Sequence, residues 1–192
     1  MKNIFLFLCV GLLTLNGFSQ KKISTAKRPS SSSSLPKVDN LQVEIKNGKF
    51  QVTISEKGKT SDMLIVKDVD AAFTPKDCKL SSFTASGVKL YLLTWTELNT
   101  TKSTNKTEDK TTIHSVIYEI TSKKQVYSNY QLTNHITEKV SLGGTGASET
   151  QEKVRREGFE FTLNSDGSVN QKNKTQQTTY VYDKVKIEFK KR

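Results

Sequence analysis

The stretch Leu41-Gln42-Val43-Glu44-Ile45-Lys46-Asn47-Gly48-Lys49-Phe50-Gln51-Val52-Thr53-Ile54 decides the fold class. Leu41, Val43 and Ile45 alternate with polar residues, and Phe50, Val52 and Ile54 do so again. Successive side chains of a strand point to opposite faces, so each run has one apolar and one wet face. Asn47-Gly48 between them tolerates the positive φ of a type I′ turn, and the whole reads as a hairpin.

The same period continues outward. Met63 to Val69 reads as a third strand. Val88 to Leu98 reads as a long one, with Val88, Leu90 and Leu92 on one face and Tyr91, Leu93 and Trp95 on the other. Two apolar faces predict a central strand covered on each side over part of its length. Strands follow at about Thr111–Thr121 and Gln125–Ile136, with the polar stretch Asn99 to Lys110 expected as a mobile loop between the first long strand and the next. Asp166-Gly167 marks a turn after Phe159, Phe161 and Leu163, and Thr178 to Phe189 closes the chain with Val181, Val185, Ile187 and Phe189 on one face. Only Glu149 to Arg156 has a pattern open to either short helix or strand. The expectation is an all-β domain, an antiparallel meander of roughly 8–10 strands closed as a barrel or folded as a two-sheet sandwich.

Upstream of this domain the composition changes twice. Lys2 is followed by an almost unbroken apolar run from Ile4 to Leu15, then by Asn16-Gly17-Phe18-Ser19-Gln20. That is the layout of a secretory signal, with Gly17 and Ser19 at the −3 and −1 positions of a cut after Ser19. Twelve apolar residues are too few to cross a hydrocarbon core, which needs ~20. The segment resembles signal peptides of Gram-negative bacteria. Cys9 does not fit a lipidation site, because Leu8 rather than a small residue precedes it and a largely apolar stretch follows. Residues 20–40 carry Lys21, Lys22, Lys27, Arg28, Pro29, five serines from Ser30 to Ser34, and Pro36. Such a segment has little to bury and reads as a flexible linker. The expected organisation is a signal peptide over 1–19, this linker over 20–40 and one β domain over 41–192, working in the periplasm or secreted. A domain of about 150 residues buries roughly 68–70% of its unfolded surface, enough for a core.

The formal charge is +11, with 26 lysines against 4 arginines. An excess of that size attracts anionic partners such as lipopolysaccharide, acidic glycans or DNA. Lysine, a hydrated point charge, is less suited than arginine to bidentate phosphate binding. The lysines are also spread along the chain, as a merely solubilising charge would be; the basic clusters are Lys21-Lys22, Lys153 to Arg156 and Lys190-Lys191-Arg192.

Catalytic and metal patterns are thin. His114 and His135 lie on neighbouring predicted strands, and whether they share a face depends on register. A turn at Lys123-Lys124 alone sets them on one face. A slightly longer loop pairs Ile120 with Val126, Val116 with Tyr130 and His114 with Leu132, which gathers apolar residues and turns His135 away. Burial at ~1.5–3 kcal/mol per side chain favours the second register, and no cysteine or paired carboxylate completes four ligands. Cys78, the lone cysteine after the signal, sits in the turn-like Thr74-Pro75-Lys76-Asp77-Cys78-Lys79. It reads as an inert thiol, although Lys76 and Lys79 are placed to lower its pKa.

Gly143-Gly144-Thr145-Gly146-Ala147-Ser148 lacks the lysine and following Ser/Thr of a phosphate cradle and reads as a flexible loop. Asn164 to Ser168 lacks the acids of a calcium loop and reads as a hairpin turn. Asp68 and Asp70 read as a solvated strand end. Asn99, Asn105 and Asn173 head acceptor-type triplets for N-glycosylation, read here as polar loop content. No strand–Gly-x-Ser-x-Gly–helix elbow occurs. No residue is assigned as catalytic, cofactor-binding or metal-binding.

The resulting expectation is a non-enzymatic binding or structural module of the envelope or secreted fraction, its partner an apolar small ligand inside a barrel or a macromolecular surface. An electrostatic binder of anionic polymer and a hydrolase of unfamiliar type are the alternatives.

Overall fold

The computed structural model describes residues 35–144 and 146–192. The expected signal peptide and most of the expected linker lie outside the described residues. Thirteen strands and no helix build the rest. The first sheet holds β1 (Lys37–Val38), β2 (Leu41–Lys46), β3 (Lys49–Glu56) and β4 (Lys59–Asp68). The second holds β5 (Lys76–Ala85), β6 (Val88–Lys102), β7 (Lys106–Glu119), β8 (Lys124–Ser141) and β9 (Ser148–Gly158). The third holds β10 (Glu160–Leu163), β11 (Val169–Lys172), β12 (Gln177–Asp183) and β13 (Glu188–Lys191). Every neighbour in each sheet is also a neighbour in sequence, so the chain is an antiparallel meander throughout.

The all-β class and the meander stand. No sheet closes into a barrel: the strands divide among three open sheets, stacked as a sandwich of three layers rather than two. The count exceeds the expected eight to ten because Lys37–Val38 and Lys76–Ala85 also pair as strands and the closing run from Thr178 to Phe189 divides into β12 and β13.

Asn47 and Gly48 both have positive φ, 53° and 70°, as the type I′ turn requires. Lys57-Gly58 and Ser86-Gly87 repeat the arrangement between β3 and β4 and between β5 and β6. The last residues before Leu41 belong to the folded body: Val43 N–H donates to Pro36 O, and Leu35 and Val38 pack against the core.

β6 is the axis of the molecule. On one face Tyr91, Leu93 and Trp95 join Leu80, Val116 and Tyr118 against Leu41, Val43, Phe50, Val52 and Ile54 of the first sheet. On the other, Leu90 and Leu92 join Ile117 and Tyr127 against Val169 and Tyr182 of the third sheet. The sequence pattern of β6 anticipates this double burial. Each buried aliphatic or aromatic side chain contributes ~1.5–3 kcal/mol by leaving water. Core side chains pack between the sheets on both faces of β6, and with no sheet closed, the barrel interior expected to hold an apolar ligand does not form.

The strands of the central sheet outrun both cores. Asn99 to Lys110, expected as a mobile loop, instead extends β6 and β7, with only Ser103 to Asn105 turning. Twelve backbone pairs continue the ladder from Tyr91–Tyr118 to Lys102–Thr107. Thr100 Oγ1 donates to Asp109 Oδ1 at 2.6 Å between β6 and β7, and the ladder sets Lys106 of β7 opposite Glu138 of β8. Cross-strand pairs of β-branched and oppositely charged residues stabilise a sheet without burial. That is why a polar stretch lacking apolar alternation still forms strand.

Candidate functional site

The most concentrated polar arrangement lies where β6 leaves the first core. Trp95 and Glu97 share a face because they are two apart on a strand, and ladder pairing sets His114 opposite Trp95. Lys67 comes from β4 in the other sheet. Glu97 gathers them: its carboxylate accepts from Lys67 Nζ at 2.9 and 3.0 Å and from Trp95 Nε1 at 2.8 Å, while His114 Nε2 lies 3.3 Å away. The His114 ring stacks on Trp95 at 4.6 Å between centroids, nearly parallel at 11°, and Trp95 meets Phe50 edge-on.

Burial works against ionisation of Glu97, but the Lys67 ammonium, the indole N–H and His114 outweigh it and hold the carboxyl below its ordinary value. Burial also pushes His114 below its usual 6.5, reinforced by Lys67 and opposed by Glu97. The ring is therefore neutral at pH 7, and its contact with Glu97 is that of an imidazole beside a carboxylate rather than an ion pair. An open cleft of about 460 Å³ adjoins this cluster, lined by Lys67, Glu97, Asp68, Asp70, Phe73 and Leu98 among others. A carboxylate already accepting three hydrogen bonds, two of them from an ammonium, is a poor general base. Among the described residues neither His114 nor Glu97 hydrogen-bonds a hydroxyl or a thiol. The cluster is built to lock the end of the core.

A second cleft, about 640 Å³, opens where the chain passes from the central sheet to the third. One wall is Gln131 of β8 with Val154, Arg156, Glu157 and Gly158 of β9. The other is Glu160 of β10, Lys172 of β11 and the turn Asn173-Lys174-Thr175. Gly158 makes the crossover: its φ is +76°, and a Cβ there would stand 3.0 Å from the Tyr130 carbonyl carbon and closer still to the oxygen. The next residue, Phe159, donates its N–H to that carbonyl at 3.0 Å. Buried Asn129 then ties the walls together, donating from Nδ2 to Phe159 O and accepting from Gln171 Nε2 on β11, both at 2.9 Å.

This cleft continues an uncovered sheet face. Ladder pairing lines up Leu98, Thr111, Thr133 and Arg156 across four strands, and beside that row Thr100, Asp109, His135 and Val154. Leu98 is 62% exposed, Val154 49% and Ile113 42%.

The residues weighed in the sequence fall as follows. His114 and His135 face opposite sides of the central sheet, as the favoured register had it. The partners differ, since His114 opposes Tyr130 and Val116 opposes Ser128. A bulge between Ile117 and Tyr118 and a four-residue turn, Ile120 to Lys123, slide the ladder by two residues, which preserves faces but not partners. Among the described residues no three His, Cys, Asp or Glu side chains come together as metal ligands.

Cys78 sits at a bulge of β5 beside Asp77, whose φ is +48°. Burial pushes its thiol up to about 11, outweighing any lowering by the flanking Lys76 and Lys79. Asp68 pairs with Lys49 at 3.0 Å and Asp70 accepts from Ala72 N–H, a solvated strand end. Asn164 to Ser168 is the hairpin turn between β10 and β11, with Asp166 accepting from Ser168. The glycine-rich stretch is the turn between β8 and β9, with Thr145 outside the described residues. Asn99 lies on β6, Asn105 in the next turn and Asn173 beside the second cleft. Glu149 to Arg156 is strand, part of β9.

Sequence reasoning missed Glu97, Lys67 and the second cleft. Glu97 had a signal, its period-two relation to Trp95. Lys67 and the two cleft walls had none, because they meet only between sheets. No protein-family model, no curated protein and no solved structure matches this chain.

Proposed function

We propose that this chain is a non-enzymatic binding module of the cell envelope or secreted fraction, engaging its partner through the uncovered part of the central sheet. The carrying observation is that β6, β7, β8 and β9 run on as a four-stranded sheet beyond both cores, with Leu98, Ile113 and Val154 exposed on one face. Fixing backbone costs ~1–2 kcal/mol per residue, and this part of the sheet recovers little of it by burial. A surface kept ordered at that cost is suited to being covered by a partner. Export rests on the charged, apolar and small-residue order of residues 1–20.

The test is co-sedimentation of the chain from Gln20 onward with outer-membrane vesicles and with peptidoglycan sacculi, at low and at physiological salt. Retention at physiological salt is expected, reduced about fivefold by the pair Leu98→Ser and Ile113→Ser. Absence of retention at both salts refutes the reading. One observation favours a second reading, an electrostatic binder of anionic polymer: residues 35–192 carry 25 Lys and Arg against 19 Asp and Glu. Retention that is lost at physiological salt and indifferent to the serine pair selects it instead.

A further inference from the structure

Resting on the binding-module reading, we infer that the cleft between β9 and the β11–β12 turn binds an acidic saccharide, its carboxylate held by Arg156, Lys172 and Lys174. The chain has only four arginines, and Arg156 stands on the cleft wall. Among the described residues none of these three cations takes part in an ion pair within 4 Å, although eight lysine–carboxylate pairs occur elsewhere. A guanidinium without a carboxylate partner offers two parallel N–H donors, the geometry that matches a carboxylate.

The remaining lining suits a polyol. Gln131 and Thr175 supply donors and acceptors, and Glu157 and Glu160 supply acceptors for hydroxyl groups. These two carboxylates repel a bare anion but accept from sugar hydroxyls, so a lining of three cations and two carboxylates favours a sugar acid over a simple ion. The volume, about 640 Å³, falls within the ~300–1,000 Å³ of small-molecule sites. The walls are set in advance by the Gly158 crossover and the Asn129 bridge, so little ordering is left for the ligand to impose. The cleft opens onto the uncovered sheet face along the row that ends in Arg156, which leaves room for a longer polymer to continue.

The experiment is calorimetric titration of the chain from Gln20 onward, in physiological salt, with a galacturonate trisaccharide, a neutral galactose trisaccharide and inorganic phosphate. The acidic trisaccharide is expected to bind at least about tenfold more tightly than either of the others. Arg156→Gln and, separately, the pair Lys172→Gln and Lys174→Gln each weaken it about tenfold. The pair Lys184→Gln and Lys186→Gln, which removes equal charge from the β12–β13 turn, leaves it unchanged. All the changed side chains are exposed, and an unchanged unfolding midpoint certifies the fold of each variant. Equal binding of the neutral sugar, phosphate binding as tight as the acidic sugar, or indifference to Arg156→Gln overturns the assignment. If no saccharide binds while envelope retention persists, the cleft assignment fails alone. If retention is absent as well, the binding-module reading fails with it.

Discussion

Replacing Gly158 with alanine tests whether the crossover between the central and third sheets is held by backbone geometry. At φ +76° an L-residue costs ~1–2 kcal/mol relative to the right-handed regions. The added methyl also enters the space of the Tyr130 carbonyl, 3.0 Å from its carbon and nearer to its oxygen, which is backbone and cannot swing aside. Relief requires moving that carbonyl from the Phe159 N–H it accepts, a hydrogen bond worth a further ~0.5–1.5 kcal/mol net. Together these give about 1.5–3.5 kcal/mol. Gly87→Ala is the matched control, because Gly87 has φ +78° with nothing within 4 Å of an added Cβ. It should show the conformational part alone, ~1–2 kcal/mol.

Urea unfolding at 25 °C reads both variants. With a slope of ~1–3 kcal/mol/M, Gly158→Ala should lower the midpoint clearly further than Gly87→Ala. Equal losses at the two positions would show that the carbonyl contact carries no energy, and the account of the crossover would be wrong.

The two cores lie on opposite faces of one sheet, so their mutations should be independent. Phe50→Ala is expected to cost ~3–5 kcal/mol and Val169→Ala less, with the double variant additive within ~0.5 kcal/mol by urea unfolding; a larger coupling would refute separate cores. Glu108 is held down to about 2 by Lys106, Lys110 and Asn134, below its ordinary 4.5. A depressed carboxyl stabilises the fold above its unfolded pKa, and that contribution is lost as pH falls from about 4.5 through about 2. Carboxyl NMR titration should place its midpoint near 2, and Lys106→Met with Lys110→Met should raise it toward 4.5; a midpoint already at 4.5 in the unaltered chain would contradict the pairing. Cys78, with its thiol pushed up to about 11, should react with a disulfide reagent at pH 8 far more slowly folded than in denaturant. Equal rates would mean the thiol is not shielded.

Much of the fold was legible because a half-buried strand must alternate. The runs Leu41–Ile45 and Phe50–Ile54 show it, and the doubly apolar Val88–Trp95 stretch already implied a layer on each side of β6. Asn47-Gly48 named its own turn. The stretch from Asn99 to Lys110 was misread because it has no apolar face to alternate, and its strands are kept by cross-strand pairing such as Thr100 with Asp109. The histidine register shows the same limit: burial selects a face, which is a matter of parity, but not which of two registers of equal parity a bulge will choose.

Local sequence alone therefore determined the class of the chain, its antiparallel hairpins, its charge excess and the pattern of its first twenty residues. Each depends on nearest neighbours along the backbone. Only the tertiary structure decided that there are three sheets, that Lys67 meets Glu97 across thirty residues, and that Arg156 faces Lys172 over an open cleft. Those relations join elements distant in sequence. They follow from how the sheets stack and where Gly158 turns the chain, which no local periodicity encodes.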